Sequence, residues 1–471
     1  MKKKMTINYI FNLAYQILII ILPLITTPYV SRILGPDGIG AYSYTASITT
    51  YFILFGCIGL NLYGQREVAY HQSDKIAISK TFFEILLLKI GTMAISICVF
   101  IFTVQMMNQY KLLFYIQLLD LIANMLDITY FYQGIEEFKV IVIRNVLIKI
   151  IGIICIFTFV KTKADLSLYV FIYSGTLLLG NLSMWLTINK HITRVPFKDL
   201  KPTLILFFPQ IAISIYTVLD KLMIGLITNN TTQIGYYEQA QKIIKLSLTV
   251  VTSLSTVMLP RIAHLYANDD QEKIIDYTKK SLQYTLAISC PIMFGIMGIA
   301  TNLIPWFLGD EFIPSINILF VTSPILVFIG ISNIVGFQYL IPTQRQKIYT
   351  LSTILGSVVN LCLNCILIPY LLSFGAAIAS VAAELSVDLF QLVCIRKEIN
   401  FVDVIKKSKS YFIASFVMFI GIYLLSKYLY PSVMMTAILI AIGGIIYLVM
   451  LLILRDELLF GTVKKILKRR S

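Results

Sequence analysis

The stretch TLILFFPQIAISIYTVLDKLMIGLI (203–227) decides how this chain is to be read. It is long and apolar enough to cross a hydrocarbon layer about 30 Å thick. Yet it carries Asp220 and Lys221, and Pro209, which has no backbone N–H to donate. After a short polar turn (228–233) the chain re-enters with IGYYEQAQKIIKL (234–246), where Glu238, Lys242 and Lys245 stand at i, i+4 and i+7 on one helical face. Two neighbouring spans therefore bring charge to membrane depth. On lipid each charge would cost roughly 2.5–3.5 kcal/mol, so these faces are expected to line a wet cavity and touch what the protein moves. Glu238 lies four residues before Lys242, so an intrahelical ion pair competes as a structural explanation of that face.

The rest of the chain is apolar as well. Of 471 residues 58% are hydrophobic and 13% charged, and the mean hydropathy is +0.82, which excludes an ordinary soluble domain. The expected fold is all-α and polytopic, with about fourteen transmembrane helices joined by short connections. The net charge of +15 does not point to nucleic acid, because the basic residues are distributed by side. If the N-terminus is cytoplasmic and the spans alternate, the only external basic residues are Arg32, Lys111, Lys161 and Lys163, of 39 in all. That bias places both termini in the cytoplasm. The tail Lys464, Lys465, Lys468, Arg469, Arg470 then reads as a juxtamembrane cluster on anionic lipid headgroups. The first apolar run is too long for a signal peptide and lacks a cleavage site, so it reads as an uncleaved span. Seven cysteines scattered through apolar segments argue against a disulfide framework, and Cys362-x-x-Cys365 lacks the further ligands a metal site needs. His71, His191 and His264 fall in loops.

Taken in order, the first span holds Pro23 and Pro28, and the next opens IGAYSYTASI (39–48). Ile39, Gly40, Tyr42 and Ile48 match Ile234, Gly235, Tyr237 and Ile243 at one constant offset, as a duplication of six spans requires. In the fourth span Gln117, Asp120, Asn124 and Asp127 form a polar stripe, read either as a cavity wall or as an interface with another helix. Lys89 and Lys149 lie deep in spans three and five, whereas Arg144 can snorkel. Asn360 and Asn364, followed by Glu384, Asp388 and Gln391 on one face of span twelve, read as a packing hinge. Domain boundaries are expected at 1–200 and 201–396 for two six-helix bundles, with 397–471 holding two peripheral helices and the basic tail.

Five blocks carry a resemblance: LPLITTPYVSRILGPDGIGAYSYTASI (22–48), LDKLMIG (219–225), IGYYEQAQKI (234–243), YLIPTQRQK (339–347) and VVNLCLNCILIPYLLSFGAAIAS (358–380). By these the chain resembles the Wzx-type oligosaccharide flippases, the polysaccharide transporter branch of the multidrug/oligosaccharidyl-lipid/polysaccharide exporter superfamily. It departs from them in lacking a glycine-rich approach to FGAAIA. The resemblance implies two pseudo-symmetric bundles around a central cavity, alternating access, and an undecaprenyl-pyrophosphate-linked repeat unit as substrate in a bacterial plasma membrane.

Intramembrane cations suit a pyrophosphate. The expected anion and sugar ligands are therefore Lys89, Lys149, Lys221, Lys242, Lys245 and Arg32. The carboxylates Asp120, Asp127 and Asp220 are the candidates for coupling to H⁺ or Na⁺. No cofactor, metal site or catalytic residue is expected; membrane lipids and the polymerase and export proteins of the same pathway are the expected partners. A multidrug or cation antiporter on the same fold is the alternative, although it would prefer an acidic, aromatic cavity. A membrane polymerase or ligase would need a large external loop, which this chain lacks.

Overall fold

In a computed structural model the backbone is described for residues 2–193, 195–196 and 208–456, and the side chains of the same segments except 2–20, 208–217 and 256–257. Every regular element among the described residues is helical. Besides two 3₁₀ turns (Lys163–Asp165 and Asp310–Phe312), they are α1 (Lys2–Cys57), α2 (Leu60–Tyr70), α3 (Lys75–Met106), α4 (Lys111–Met125), α5 (Thr129–Gly134), α6 (Phe138–Phe159), α7 (Leu166–Ile188), α8 (Phe208–Thr228) and α9 (Thr231–Ala267). Then follow α10 (Gln271–Phe307), α11 (Ser315–Thr322), α12 (Ile325–Ser332), a π-helix (Asn333–Leu340), α13 (Gln346–Ile395), α14 (Phe401–Ser426) and α15 (Val433–Ile453). The tail lysines and arginines, Lys198, Lys201 and Arg194 lie outside the described residues, as do the side chains of Pro209 and Gln210.

Among the described residues, eleven helices are long and apolar enough to cross a membrane. Two of them run 50 residues, Ile21–Tyr70 and Gln346–Ile395. At 1.5 Å per residue that is about twice the hydrocarbon thickness. Each turns at a residue of non-helical backbone, Gly35 (φ 65°, ψ 178°) in the first and Leu372 (φ 54°, ψ −134°) in the second, so each holds two of the expected spans; the first is broken again at Ile58–Gly59. Glycine pays no Cβ penalty at such a positive φ. Leu372 does, and it stands where the sequence lacks the glycine-rich approach to FGAAIA. The outside of the helices is apolar: Leu186 is 83% exposed and Phe102 59%. That is the surface of a multi-pass membrane protein, whose backbone polar groups must be satisfied within the helices.

The contacts divide the chain into two units, Met1–Gly225 with Asn230–Gly235, and Leu226–Asn229 with Tyr236–Ser471. The parting falls later than the expected boundary after residue 200, because the end of α8 and the first turn of α9 seat against α1. The first unit packs around Phe82, Tyr130, Phe131 and Tyr132 where α2, α3 and α5 meet, and around Phe100, Phe114 and Leu121 where α3 meets α4. In the second, α14 and α15 pack against α10 with Cys290, Tyr411 and Ala414 in the seam, so residues 401–453 belong to that unit's core and do not form a separate layer. The turn after the π-helix is tied to the end of α13: Arg345 Nη1 donates to both Glu398 oxygens (2.6 and 2.7 Å), and the Tyr339 hydroxyl donates to Oε2.

Candidate functional site

Two spans of the first unit break, and one lysine serves both breaks. The second span stops at Cys57, passes Ile58 (φ 44°) and Gly59 (φ 71°), and resumes as α2. The fourth stops at Met125 and resumes as α5 at Thr129. Inside a bilayer each break frees carbonyl and amide groups that water cannot satisfy, so side chains must reach them. One face of α3 does this for the second span: Ser96 Oγ donates to Phe52 O (2.6 Å), Thr92 Oγ1 to Gly56 O (2.6 Å), and Lys89 Nζ to Asn61 Oδ1 (3.0 Å). Lys89 also donates to Asp127 O in the break of the fourth span, at 2.7 Å.

The remaining groups of that break are served as fully. Asn181 Nδ2 donates to Ala123 O (2.7 Å) and Trp185 Nε1 to Leu126 O (2.8 Å). The Asp127 carboxylate accepts from the Thr129 amide (2.9 Å) and hydroxyl where the chain turns into α5. Arg144 donates to Asn181 Oδ1 (2.9 Å) and Thr129 Oγ1 (3.1 Å), closing the network. A cation beside the carbonyl end of α4 also meets the negative end of its dipole. Lys89 is fully buried, with its ammonium 5.8 Å from the centre of the Tyr130 ring.

This placement bears on each expected site residue. Lys89 and Asp127 come together, but as the structural core of two helix breaks, with Lys89 shut off from solvent. Within the polar stripe, Gln117 is fully buried and clasps span two, accepting from Thr49 Oγ1 (2.8 Å) and donating to Thr45 Oγ1 (3.0 Å). Its neighbour Asp120 lies beside Ser174 and Tyr42, the latter edge-on to Tyr169 and Tyr173. Asp220 lies near Tyr51 in the first unit, next to Lys221. Lys149 is half-buried on α6, and Arg32 is exposed three residues before the Gly35 turn. Lys242, half-buried, and Lys245, exposed, belong to α9 in the second unit. Asn61, Thr129, Asn181 and Trp185 were missed by sequence reasoning. The available signal was Asp127-x-Thr129, a turn-forming pattern inside an apolar run.

The duplicated glycines meet in a reciprocal contact inside the first unit. A Cβ on Gly40 would lie 1.7 Å from Thr231 O, and one on Gly235 would lie 2.0 Å from Pro36 O. Pro36 and Thr231 are separated by the same 195 positions as Gly40 and Gly235, so the two approaches are related as the two copies of a repeat would be. Thr231 Oγ1 donates to Asp37 Oδ1 beside them, and the Tyr110 hydroxyl donates to Thr231 Oγ1 at 3.4 Å.

Residues 5–266 match the family described as polysaccharide biosynthesis protein. Over 391 residues the chain is 24% identical to the "Putative O-antigen transporter" of Escherichia coli (strain K12), covering 80% of this chain and 93% of that protein. The protein of that name from Shigella dysenteriae is 26% identical over 389 residues, 79% of this chain and 96% of its own length. Among solved structures, "Lipid II flippase MurJ, inward closed conformation" superposes with a TM-score of 0.68 at 19% identity, over 93% of this chain and 99% of that one. An inward-facing multidrug resistance MATE family transporter gives 0.63 at 14% identity, over 80% and 94%. At such identities these two structures speak for the fold alone.

Proposed function

The chain belongs to the polysaccharide biosynthesis protein family, and from that premise we propose that it flips lipid-linked oligosaccharides across a membrane. The observation that carries the reading is the similarity, over about four fifths of this chain and more than nine tenths of theirs, to two proteins described as putative O-antigen transporters. In detail, the substrate is an undecaprenyl-pyrophosphate-linked repeat unit, moved from the cytoplasmic to the external leaflet of a bacterial plasma membrane for surface polysaccharide assembly. Transport proceeds by alternating access, with both termini on the cytoplasmic side. Transport leaves the substrate's covalent bonds intact.

Within this reading Lys149, Lys221, Lys242, Lys245 and Arg32 are the cations that hold the pyrophosphate, since a dense anion away from water needs charged donors. Lys89 acts differently: its donors are spent on Asn61 and Asp127 O, so it positions the broken helices. Asp120, Asp127 and Asp220 are the proposed sites of coupling to H⁺ or Na⁺. Deleting the gene tests the reading. Lipid-linked repeat units are expected to accumulate on the cytoplasmic leaflet, with recovery on re-expression; normal export without the protein would refute it.

A further inference from the structure

The second unit holds a buried carboxylate that neither packing nor the proposed ligand set explains. Asp388, on the second half of α13, is 2% exposed, and no side chain or backbone group gives either of its oxygens a hydrogen bond. The Ser332 amide approaches without reaching bonding geometry, and the charged neighbour that bears on Asp388 is Glu384, one turn away and of the same sign. The π-helix and α13 hold further acceptors in the same condition. Asn333 Oδ1 and Gln338 Oε1 on the π-helix, and Gln391 Oε1 on α13, are all buried with no donor. Their orientation is set by their partners. The Ser352 hydroxyl donates to Tyr349 O (2.7 Å), so it must accept from Gln391 Nε2 (2.9 Å), which turns the Gln391 oxygen away. Likewise Gln338 Nε2 is spent on Ser281 Oγ at 2.9 Å.

Two packed helices thus each carry buried oxygens that lack a donor. The π-helix, a wider turn that recurs at functional sites, carries two of them. A bare carboxylate there would carry the full cost of a buried, unpaired charge, several kcal/mol even after relaxation, whereas a bound proton removes the charge and gives the carboxyl a donor of its own. We propose that Asp388 is a proton-binding site of the second unit, taking up a proton in the arrangement described here and releasing it when α13 and the π-helix separate. The ionisable groups on the elements around it include Glu384 on its own helix, Tyr349 on the first half of α13, Tyr339 on the π-helix, Tyr277, Lys280 and Tyr284 on α10, and Tyr237, Glu238, Lys242 and Lys245 on α9; α11 and α12 carry none. The course of α9 alongside is fixed by the Tyr237 and Ser380 hydroxyls, 2.9 Å apart. The inference deepens the proposed ion-coupled flipping by naming a proton site outside the three aspartates considered so far, and it rests on that reading for its purpose.

The test is infrared difference spectroscopy on the full-length protein in lipid nanodiscs across a pH step. Wild type should show the carbonyl stretch of a protonated carboxylic acid, shifted in D₂O. The band should vanish in Asp388→Asn and persist in Asp120→Asn and Asp220→Asn. If Asp388→Asn yields no folded protein, Asp388→Glu serves, and the band should move in frequency and persist. A band unchanged in both Asp388 variants, or no such band in wild type, overturns the proposal. The spectrum is read without a substrate or a gradient, so a band lost with Asp388 stands even if flipping proves independent of protons, and in that case only the coupling reading falls.

Discussion

Replacing Gly40 by alanine places a methyl group where a carbonyl already is. The added carbon would lie 1.7 Å from Thr231 O, 2.5 Å from its carbon and 3.0 Å from the Gly235 nitrogen, all backbone atoms that no rotamer change can clear. Restoring ordinary contact means parting α1 and α9 by roughly 1.5 Å, and overpacking of this kind costs about 1–3 kcal/mol. Parting them also stretches the Thr231 to Asp37 hydrogen bond, for a further 0.5–1.5 kcal/mol or so. Together these should depopulate the seated arrangement at least tenfold, since about 1.4 kcal/mol is a factor of ten. The assay is oxidative cross-linking in membranes of an Asp37→Cys, Thr231→Cys pair in a background without the native cysteines. The disulfide should form readily with Gly40 present and at least ten times more slowly with Gly40→Ala; Gly235→Ala should behave alike, because its methyl meets Pro36 O at 2.0 Å. Unchanged cross-linking in both variants would refute the close-approach argument and the repeat symmetry drawn from it.

Three further outcomes follow from the same structure. Lys89→Met leaves Asn61 and the Asp127 carbonyl without their donor, so thermal stability and membrane abundance should fall by the equivalent of about 1–3 kcal/mol, whereas Lys149→Gln should lower flipping at near-normal abundance. Leu372→Gly relieves a positive φ at the α13 turn and should raise the melting temperature, by the equivalent of about 1 kcal/mol. For Glu398, burial pushes the carboxyl up, but the hydrogen bonds from Arg345 and Tyr339 and the Arg345 charge outweigh it, so it ends below its ordinary value. A depressed carboxylate contributes stability that is present above its unfolded pKa and lost as pH falls through the folded one. Melting curves should therefore show a loss below the usual glutamate range, under about 1 kcal/mol for so exposed a pair, and Arg345→Met should abolish it.

Much of the fold was legible because hydropathy and length leave few choices for a chain this apolar. The IGAYSY and IGYYEQ blocks marked the repeat because a close backbone approach admits only glycine at Gly40 and Gly235. The breaks at Ile58–Gly59 and after Met125 were not legible, since a helix interrupted inside an apolar run keeps the hydropathy of a continuous one. Lys89 was therefore read by its depth as a ligand, when its position between two breaks gives it a structural load. Asp388 was read as packing because a sequence shows which residues share a face but not whether their acceptors find donors.

The central claim is that this chain moves a lipid-linked oligosaccharide between leaflets, and the most direct test uses purified protein in proteoliposomes loaded with a fluorescent undecaprenyl-pyrophosphate oligosaccharide. Headgroup exposure is followed by protection from an impermeant glycosidase. The account predicts that protein-containing vesicles render the inner pool cleavable, and that combining Lys149→Gln with Lys221→Gln slows this at least tenfold. Cleavage that halts at the outer leaflet with folded wild-type protein present would contradict it.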